Sequence, residues 1–143
     1  MKTRCTMRIT CLALAALALA LGTMANDRPL AADEAKGKLM ISHDVYFTLK
    51  DRTPEAKAKL VAACKKYLTG HDGVTFYAAG TMAEGFDRPV NDRDFDVALH
   101  IIFESKPAHD KYQVSERHVG FVNENKDTWA KVRVFDADVE TSK

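Results

Sequence analysis

Two residues with complementary proton chemistry lie six positions apart in this 143-residue chain, Tyr112 and His118. An imidazole can accept a proton near neutral pH, and a phenol can donate a hydrogen bond to an oxygen that gains negative charge. A third ring, His43, lies much earlier, on the apolar side of an alternating segment. Together the three side chains could perform acid/base catalysis without a metal ion or a cofactor, and no cofactor is predicted.

The local structure around Tyr112 and His118 decides whether the two rings can meet. On one continuous helix, six residues would turn the side chains about 240° apart. A break at Val114 and Ser115, with Ser115 capping a second helix, would let both rings face the sheet. The dipole of that second helix should then lower the pKa of His118 and keep its ring neutral at pH 7. We therefore predict His118 as the general base, Tyr112 as the hydrogen-bond donor and His43 as a supporting group.

Hydrophobic periodicity predicts the elements that position these residues. Alternation from Leu39 to Lys50 indicates a strand with one buried face. Thr53 and Pro54 are typical of a helix start, and Gly70 of its end. The remaining predicted elements are strands at 74–82, 95–104 and 130–139, and helices at 106–113 and from Ser115 to about Trp129. The order βαββαβ predicts one α+β domain over residues 39–140, a ferredoxin-like sandwich with helices on one face of an antiparallel sheet.

The opposite face of the predicted sheet is also apolar. A lone domain would expose that patch to water, so we predict a homodimer that pairs sheet against sheet. The residues expected on this face are Tyr46, Tyr77, Ala98, Ile102 and Phe135.

The amino-terminal segment predicts export. Basic residues precede a 13-residue apolar run from Ile9 to Leu21, and small residues follow it up to Ala25. This pattern is typical of a cleaved signal peptide, here residues 1–25, and predicts a periplasmic or extracellular protein. A retained anchor is the alternative, although the run is shorter than the ~20 residues that cross a bilayer. Residues 26–38 are predicted to be a flexible tether, and no membrane contact is expected after cleavage.

Charge and cysteine content narrow the possible partners. Without the leader, 18 basic residues face 20 acidic ones, a formal charge of −2, and no basic patch with interleaved aromatic residues suggests nucleic acid. Only Cys64 would then remain, so no intrachain disulfide can form. Cys64 lies on the apolar stripe of the first helix, where we interpret it as a small buried hydrophobic residue.

The spacing of possible metal ligands predicts no metal site. Three alternating aspartates resemble the opening of a calcium loop, but the required glycine and glutamate are missing at its sixth and twelfth positions. We interpret the aspartates instead as an acidic entry to the third strand, with Arg88 and Arg93 nearby. No two histidines have the spacing typical of zinc ligands. His71 and His109 are expected in turn or surface positions. The three aspartates are Asp92, Asp94 and Asp96.

Four segments in order resemble the stress-responsive dimeric α+β barrel family, also called Dabb. They are HDVYFTLKD (43–51), HDGV (71–74), DVALHIIFE (96–104) and Y-x5-HVGF (112–121). The resemblance covers Ile41 to about Val139. It implies a homodimer whose two sheets close into a β-barrel.

The resemblance also implies site residues. A plant polyketide cyclase of this family closes its substrate by aldol chemistry without a cofactor. Its catalytic tyrosine and histidine fall on Tyr112 and His118 in the Y-x5-H motif, and a further pocket histidine matches His43. The present chain departs from the family pattern between Tyr112 and His118, where residues 114–117 read VSER in place of a His-Pro pair.

Three functions remain open from the sequence. One is a cofactor-free enzyme that acts on a small carbonyl compound. Another is a non-catalytic stress protein or a protein that binds a small ligand, in which the same rings hold the fold or the ligand. A cofactorless monooxygenase is the third, because antibiotic-biosynthesis monooxygenases share this dimeric barrel.

Overall fold

The computed structural model describes residues 39–140, so the predicted signal peptide (1–25) and tether (26–38) lie outside the described residues. The described chain forms a four-stranded antiparallel sheet in the order β2-β3-β1-β4, with helices on one face. This is the predicted ferredoxin-like architecture. Its strands are β1 (Met40–Leu49), β2 (Val74–Thr81), β3 (Val97–Phe103) and β4 (Trp129–Val139), and its helices are α1 (Pro54–Leu68), α2 (Lys106–Gln113) and α3 (Glu116–Asn125).

Strand β1 confirms the predicted alternation. Every second residue from His43 to Leu49 is buried beneath the helices, while the residues between them are only partly buried. His43 therefore lies on the core face, as its place in the alternating pattern predicts. The core that covers this face is formed by β1, β3, α1 and the two short helices, with the largest buried side chains including Tyr112, Phe103, Leu68 and Leu99.

Helix α1 begins and ends where the sequence predicts. The Thr53 side chain accepts a hydrogen bond from the backbone N–H of Ala56, and Pro54 occupies the first turn. Just past the helix, Gly70 adopts a positive φ of 65°. Cys64 is completely buried in this helix, and burial raises the pKa of its thiol to about 12. It is therefore a packed, unreactive thiol at neutral pH.

The predicted break between the two short helices is present at Ser115. Its hydroxyl accepts a hydrogen bond from the backbone N–H of His118 and donates one to the carbonyl of Tyr112. Helix α3 is shorter than predicted: it ends at Asn125, whose side-chain amide donates to Phe121 O, and a short 3-10 turn, Lys126–Thr128, follows. Trp129 consequently begins β4 and does not end the helix.

Strand β2 corrects one predicted face. Its pairing with β3 shifts register between Val74 and Phe76, so Tyr77 lies opposite the core residue Ile101, and Phe76 lies on the open face. A β-bulge of this kind adds one residue and reverses which side chains point inward. The alternation predicts Tyr77 on the open face. Instead Tyr77 packs against the core, and Phe76 is 53% exposed.

The chain before β3 also differs from the prediction. The strand begins at Val97, two residues later than expected. Phe95 does not join the core face, since its ring packs 5.1 Å from that of Tyr46 on the open face. Asp96 turns inward to accept a hydrogen bond from the backbone N–H of Leu49 at 2.9 Å.

Within residues 39–140, no helix is long and apolar enough to cross a membrane.

Candidate functional site

A cavity of about 230 Å³ lies between the sheet and the helices. All three residues predicted from the sequence, His43, Tyr112 and His118, line it. Most of the remaining lining is apolar, so a bound molecule would meet a few polar groups in a largely hydrophobic space. The other lining residues are Val45, Phe47, Leu68, Leu99, Gln113, Phe121, Val122, Trp129, Val132, Val134 and Asp136.

Tyr112 is the most buried of the three rings. It lies in the last turn of α2, and its ring centroid lies 4.7 Å from that of His118 and 6.0 Å from that of His43. Its hydroxyl is buried and has no hydrogen-bond partner among the described residues. Burial raises the pKa of Tyr112, so the phenol keeps its proton and remains a donor. An unsatisfied buried hydroxyl is rare enough in proteins to suggest a missing partner.

His118 is held in one tautomer by the break between the helices. Its Nδ1 lies 2.9 Å from the carbonyl oxygen of Gln113, so Nδ1–H donates and Nε2 carries the lone pair. Burial lowers the pKa of His118 and is the largest influence. The hydrogen bond to Gln113 raises the pKa, while His43, His71 and His109 lower it. The direction agrees with the prediction, but burial is the main cause in place of the helix dipole.

His43 is paired with a residue that lies directly opposite it in the sheet. In the β1–β4 register His43 faces Asp136, and His43 Nδ1 lies 2.6 Å from Asp136 Oδ1. Burial lowers the pKa of His43, and this effect outweighs the hydrogen bond and charge of Asp136, which raise it. The carboxylate therefore orients a ring that is predominantly neutral at pH 7.

His109 also belongs to this region, although its sequence context predicts a turn or surface position. Its side chain is only 14% exposed, and its ring lies 5.0 Å from that of His43. The two residues are 66 positions apart in sequence, so no local zinc spacing could reveal the contact. A usable signal existed in α2, because His109 and Tyr112 are three residues apart and so share one helix face.

Trp129 is a second residue whose contribution the sequence did not reveal. It packs against Phe47, with ring centroids 5.1 Å apart, as expected of a core residue. It also lines the cavity, and its indole Nε1 is buried without a hydrogen-bond partner in the described chain. The lining thus includes two residues with unsatisfied buried donors, Tyr112 and Trp129.

The alternating aspartates take no part in the cavity and pair with basic side chains. Asp96 is buried, and burial raises its pKa. Hydrogen bonds from Leu49 N, Arg52 and Lys57 more than offset this effect, so the pKa of Asp96 is lowered overall. Asp92 pairs with Arg133, and Asp94 pairs with Lys131. These contacts tie the loop before β3 to β1, α1 and β4.

The fold and cavity define an α+β protein of the ferredoxin-like class. Residues 41–139 match the stress responsive A/B barrel domain family, Dabb. The chain therefore belongs to this family. No curated protein matches the chain in sequence.

Several solved structures share this fold. A Dabb family protein from Mesorhizobium loti is 24% identical with a TM-score of 0.60, over 73% of this chain and 99% of that one. A dimeric ferredoxin-like protein of unknown function from Thermobifida fusca is 18% identical with a TM-score of 0.58, over 73% and 93%. The hydroxynitrile lyase from Passiflora edulis is 16% identical with a TM-score of 0.59, over 74% and 98%.

Proposed function

We propose that this protein catalyses acid/base chemistry on a small carbonyl compound bound in the 230 Å³ cavity. His118 is the proposed base, Tyr112 the hydrogen-bond donor and His43 the supporting group. The observation that carries the proposal is the convergence of the three rings on one cavity, with the Tyr112 hydroxyl buried and unpartnered among the described residues.

The proposed step moves one proton. His118 Nε2 takes a proton from the carbon next to the carbonyl group, and the electrons of the broken C–H bond form a C=C bond. The carbonyl oxygen gains the negative charge of an enolate, which a hydrogen bond from the Tyr112 hydroxyl would stabilise. The imidazolium later returns the proton to the product. The lowered pKa of His118 supports this role, because the ring is neutral and able to accept a proton at pH 7.

The cavity volume limits the substrate. Pockets that hold drug-sized ligands measure roughly 300–1,000 Å³, whereas this cavity measures about 230 Å³. A compact carbonyl compound therefore suits it better than a long chain. The Passiflora edulis hydroxynitrile lyase is an enzyme with the same fold, which supports the proposal of an enzymatic role.

Binding of a small ligand without turnover is the second candidate. The buried indole N–H of Trp129 favours it, because this donor has no place in the proposed proton transfer. A polar ligand that accepts hydrogen bonds from Trp129 and Tyr112 would satisfy both groups. The same cavity would serve either function.

Deuterium exchange separates the two candidates even when the product of the reaction is not identified. In D2O, a set of small ketones, aldehydes and keto acids would be followed by NMR for exchange of the proton next to the carbonyl. We expect exchange with at least one compound, and His118→Ala should slow it about 100-fold or more. Tyr112→Phe removes the hydrogen bond to the enolate oxygen and should also slow the exchange, although the base remains. His100→Ala, on the opposite face of the sheet, is the matched control, and analytical ultracentrifugation should show that its self-association is unchanged.

Two results would contradict the catalytic proposal. One is the absence of exchange with every compound tested, and the other is equal exchange by wild type and His118→Ala. Unfolding of the ligand-free proteins gives an independent check. If His118 served only the fold, its removal should cost about 1–3 kcal/mol, as expected for a lost buried polar contact.

We also propose that the protein acts as a homodimer. The open face of the sheet carries exposed aromatic side chains at Phe76 and Phe135, each 53% exposed. The description of the Thermobifida fusca structure as dimeric supports this proposal. A second sheet would remove these rings from water.

Export is a further proposal, supported by the leader sequence of residues 1–25. Mass spectrometry of the protein recovered outside the cytoplasm should give an amino terminus at or near Asn26. A chain that still carries residues 1–25 and stays in the cytoplasm would refute this proposal.

A further inference from the structure

We propose that His43, His109 and Asp136 form a binding site for one divalent transition metal ion of the zinc type. One nitrogen or oxygen atom of each residue lies within 4.8 Å of the others. The three residues come from β1, α2 and β4, so the folded domain brings them together. Two imidazoles and one carboxylate are a ligand set that suits Zn²⁺, whereas Mg²⁺ and Ca²⁺ prefer oxygen ligands only.

The distances between the three side chains are close to those that a metal requires. His43 Nδ1 and Asp136 Oδ1 are 2.6 Å apart, and His109 Nε2 and Asp136 Oδ1 are 3.9 Å apart. Ligand atoms about 2.0–2.1 Å from a tetrahedral metal lie about 3.3 Å from each other. To bind a metal, His43 Nδ1 and Asp136 Oδ1 must move slightly apart, and His109 Nε2 and Asp136 Oδ1 must move slightly closer. Asp136 can adjust because its side chain is 50% exposed.

His109 Nε2 carries a lone pair, which the side chain of Gln113 now occupies. The side-chain nitrogen of Gln113 lies 2.9 Å from His109 Nε2, and an amide N–H donates there only to an unprotonated ring nitrogen. A metal would take the place of this donor. His43 Nδ1 would release the proton that it now shares with Asp136, as metal binding by a hydrogen-bonded histidine requires.

The approach from solvent favours a cation. Beside the cluster, a surface depression of about 420 Å³ is lined by three carboxylates and one ammonium group. The ammonium group of Lys106 forms an ion pair with Asp110 at 2.6 Å. Lys106 therefore does not neutralise the negative charges of Asp136 and Asp138. Negative potential at the mouth of a site raises the local concentration of cations.

The metal site shares His43 with the proposed catalytic group, but it uses neither the proposed base nor the proposed hydrogen-bond donor. Tyr112 and His118 supply none of the three ligand atoms, while His43 and Asp136 line both the cluster and the cavity. Three protein ligands leave a fourth tetrahedral position open, for water or a bound molecule. A metal here would sit at the edge of the cavity.

Calorimetric titration of the full chain with ZnCl2 tests the site. The protein is produced without a histidine tag and freed of metal with a chelator. We expect one Zn²⁺ per chain and a higher thermal midpoint in its presence. His109→Ala and Asp136→Asn should each weaken zinc binding at least tenfold, since even the loss of an outer-shell group costs about 10–100-fold. Asp136→Asn is the safer variant for folding, because Asp136 is half exposed.

The matched control is a second histidine–aspartate pair with the same distance. His100 Nδ1 lies 2.6 Å from Asp44 Oδ1 on the opposite face of the sheet, and the metal-ligand clusters in the described part of the chain do not include it. His100→Ala should leave zinc affinity unchanged. His118→Ala should also leave it unchanged while it slows deuterium exchange, so the two proposals can fail separately.

Three results would overturn the metal site. They are the absence of zinc binding at submillimolar concentrations, unchanged affinity in both His109→Ala and Asp136→Asn, and Mg²⁺ binding as tight as that of Zn²⁺. If the zinc were bound by Cys5 and Cys11 of the predicted leader, both variants would still bind it with unchanged affinity, and this result would count against the site.

Discussion

The two faces of the sheet carry the same pair of residues in different surroundings. On the covered face, His43 and Asp136 are cross-strand partners, and on the open face His100 and Asp44 are cross-strand partners. The distance from Nδ1 to Oδ1 is 2.6 Å in both. The His43 side chain is 5% exposed, whereas that of His100 is 39% exposed.

Because the two pairs have the same distance, their different burial and neighbouring side chains must determine what each histidine–carboxylate pair can do. Around His43, the rings of His109 and Tyr112 complete a buried polar group beside a cavity. Around His100, Ser42 binds the same carboxylate, and the ring of Tyr46 packs nearby. The covered pair therefore lies at the sites that we propose for a small molecule and for a metal ion. The open pair lies on the surface that we propose for a second copy of the chain.

The largest expected effect comes from the core beneath the covered face. Phe103→Ala should lower the free energy of unfolding by about 3–5 kcal/mol, because it removes a fully buried aromatic ring. Phe135→Ala on the open face is the matched variant, and it should cost less than about 1 kcal/mol in the unfolding of a single chain. Denaturant titrations monitored by circular dichroism would measure both.

The same pair of variants tests the proposed dimer. Phe135→Ala should weaken self-association about tenfold, which corresponds to ~1.4 kcal/mol. Analytical ultracentrifugation over a range of concentrations would show this shift. A wild-type chain that stays monomeric at every concentration would contradict the proposed dimer. A Phe135→Ala variant that loses as much unfolding free energy as Phe103→Ala would contradict the proposed difference between the two faces.

An effect smaller than that of Phe103→Ala is expected at Asp96, the buried carboxylate at the end of the covered face. Asp96→Asn should cost about 2–3 kcal/mol at pH 7, because it weakens the contacts to Leu49 N, Arg52 and Lys57. The pKa of Asp96 is lowered in the folded protein from its ordinary value of 3.8. Its stabilisation should be complete above that value and should fade as the pH falls through the lower folded-state pKa.

Unfolding of wild type and Asp96→Asn at pH 7, 4 and 3 checks this expectation. The difference between the two proteins should shrink as the pH falls. Asp94→Asn, which removes an exposed carboxylate paired with Lys131, is the control and should change the stability by no more than about 0.5 kcal/mol. If the difference in the free energy of unfolding between wild type and Asp96→Asn increased toward pH 3, the predicted pH dependence would be wrong.

The sequence determined the elements of this protein, because periods of 2 and 3.6 residues and helix caps are properties of the local chain. Ser115 predicted the break that brings Tyr112 and His118 together, and its side chain caps α3. The alternation in β1 predicted the face on which His43 lies. Resemblance of four motifs predicted the family to which the chain belongs.

Tertiary structure alone decided which distant side chains meet. A one-residue bulge exchanged the faces of Phe76 and Tyr77, and alternation cannot reveal such an insertion. The contacts of His109 with His43 and Asp136 depend on strand register and on the packing of α2 against the sheet. Those quantities are set by the whole core, so no local spacing in the chain encodes them.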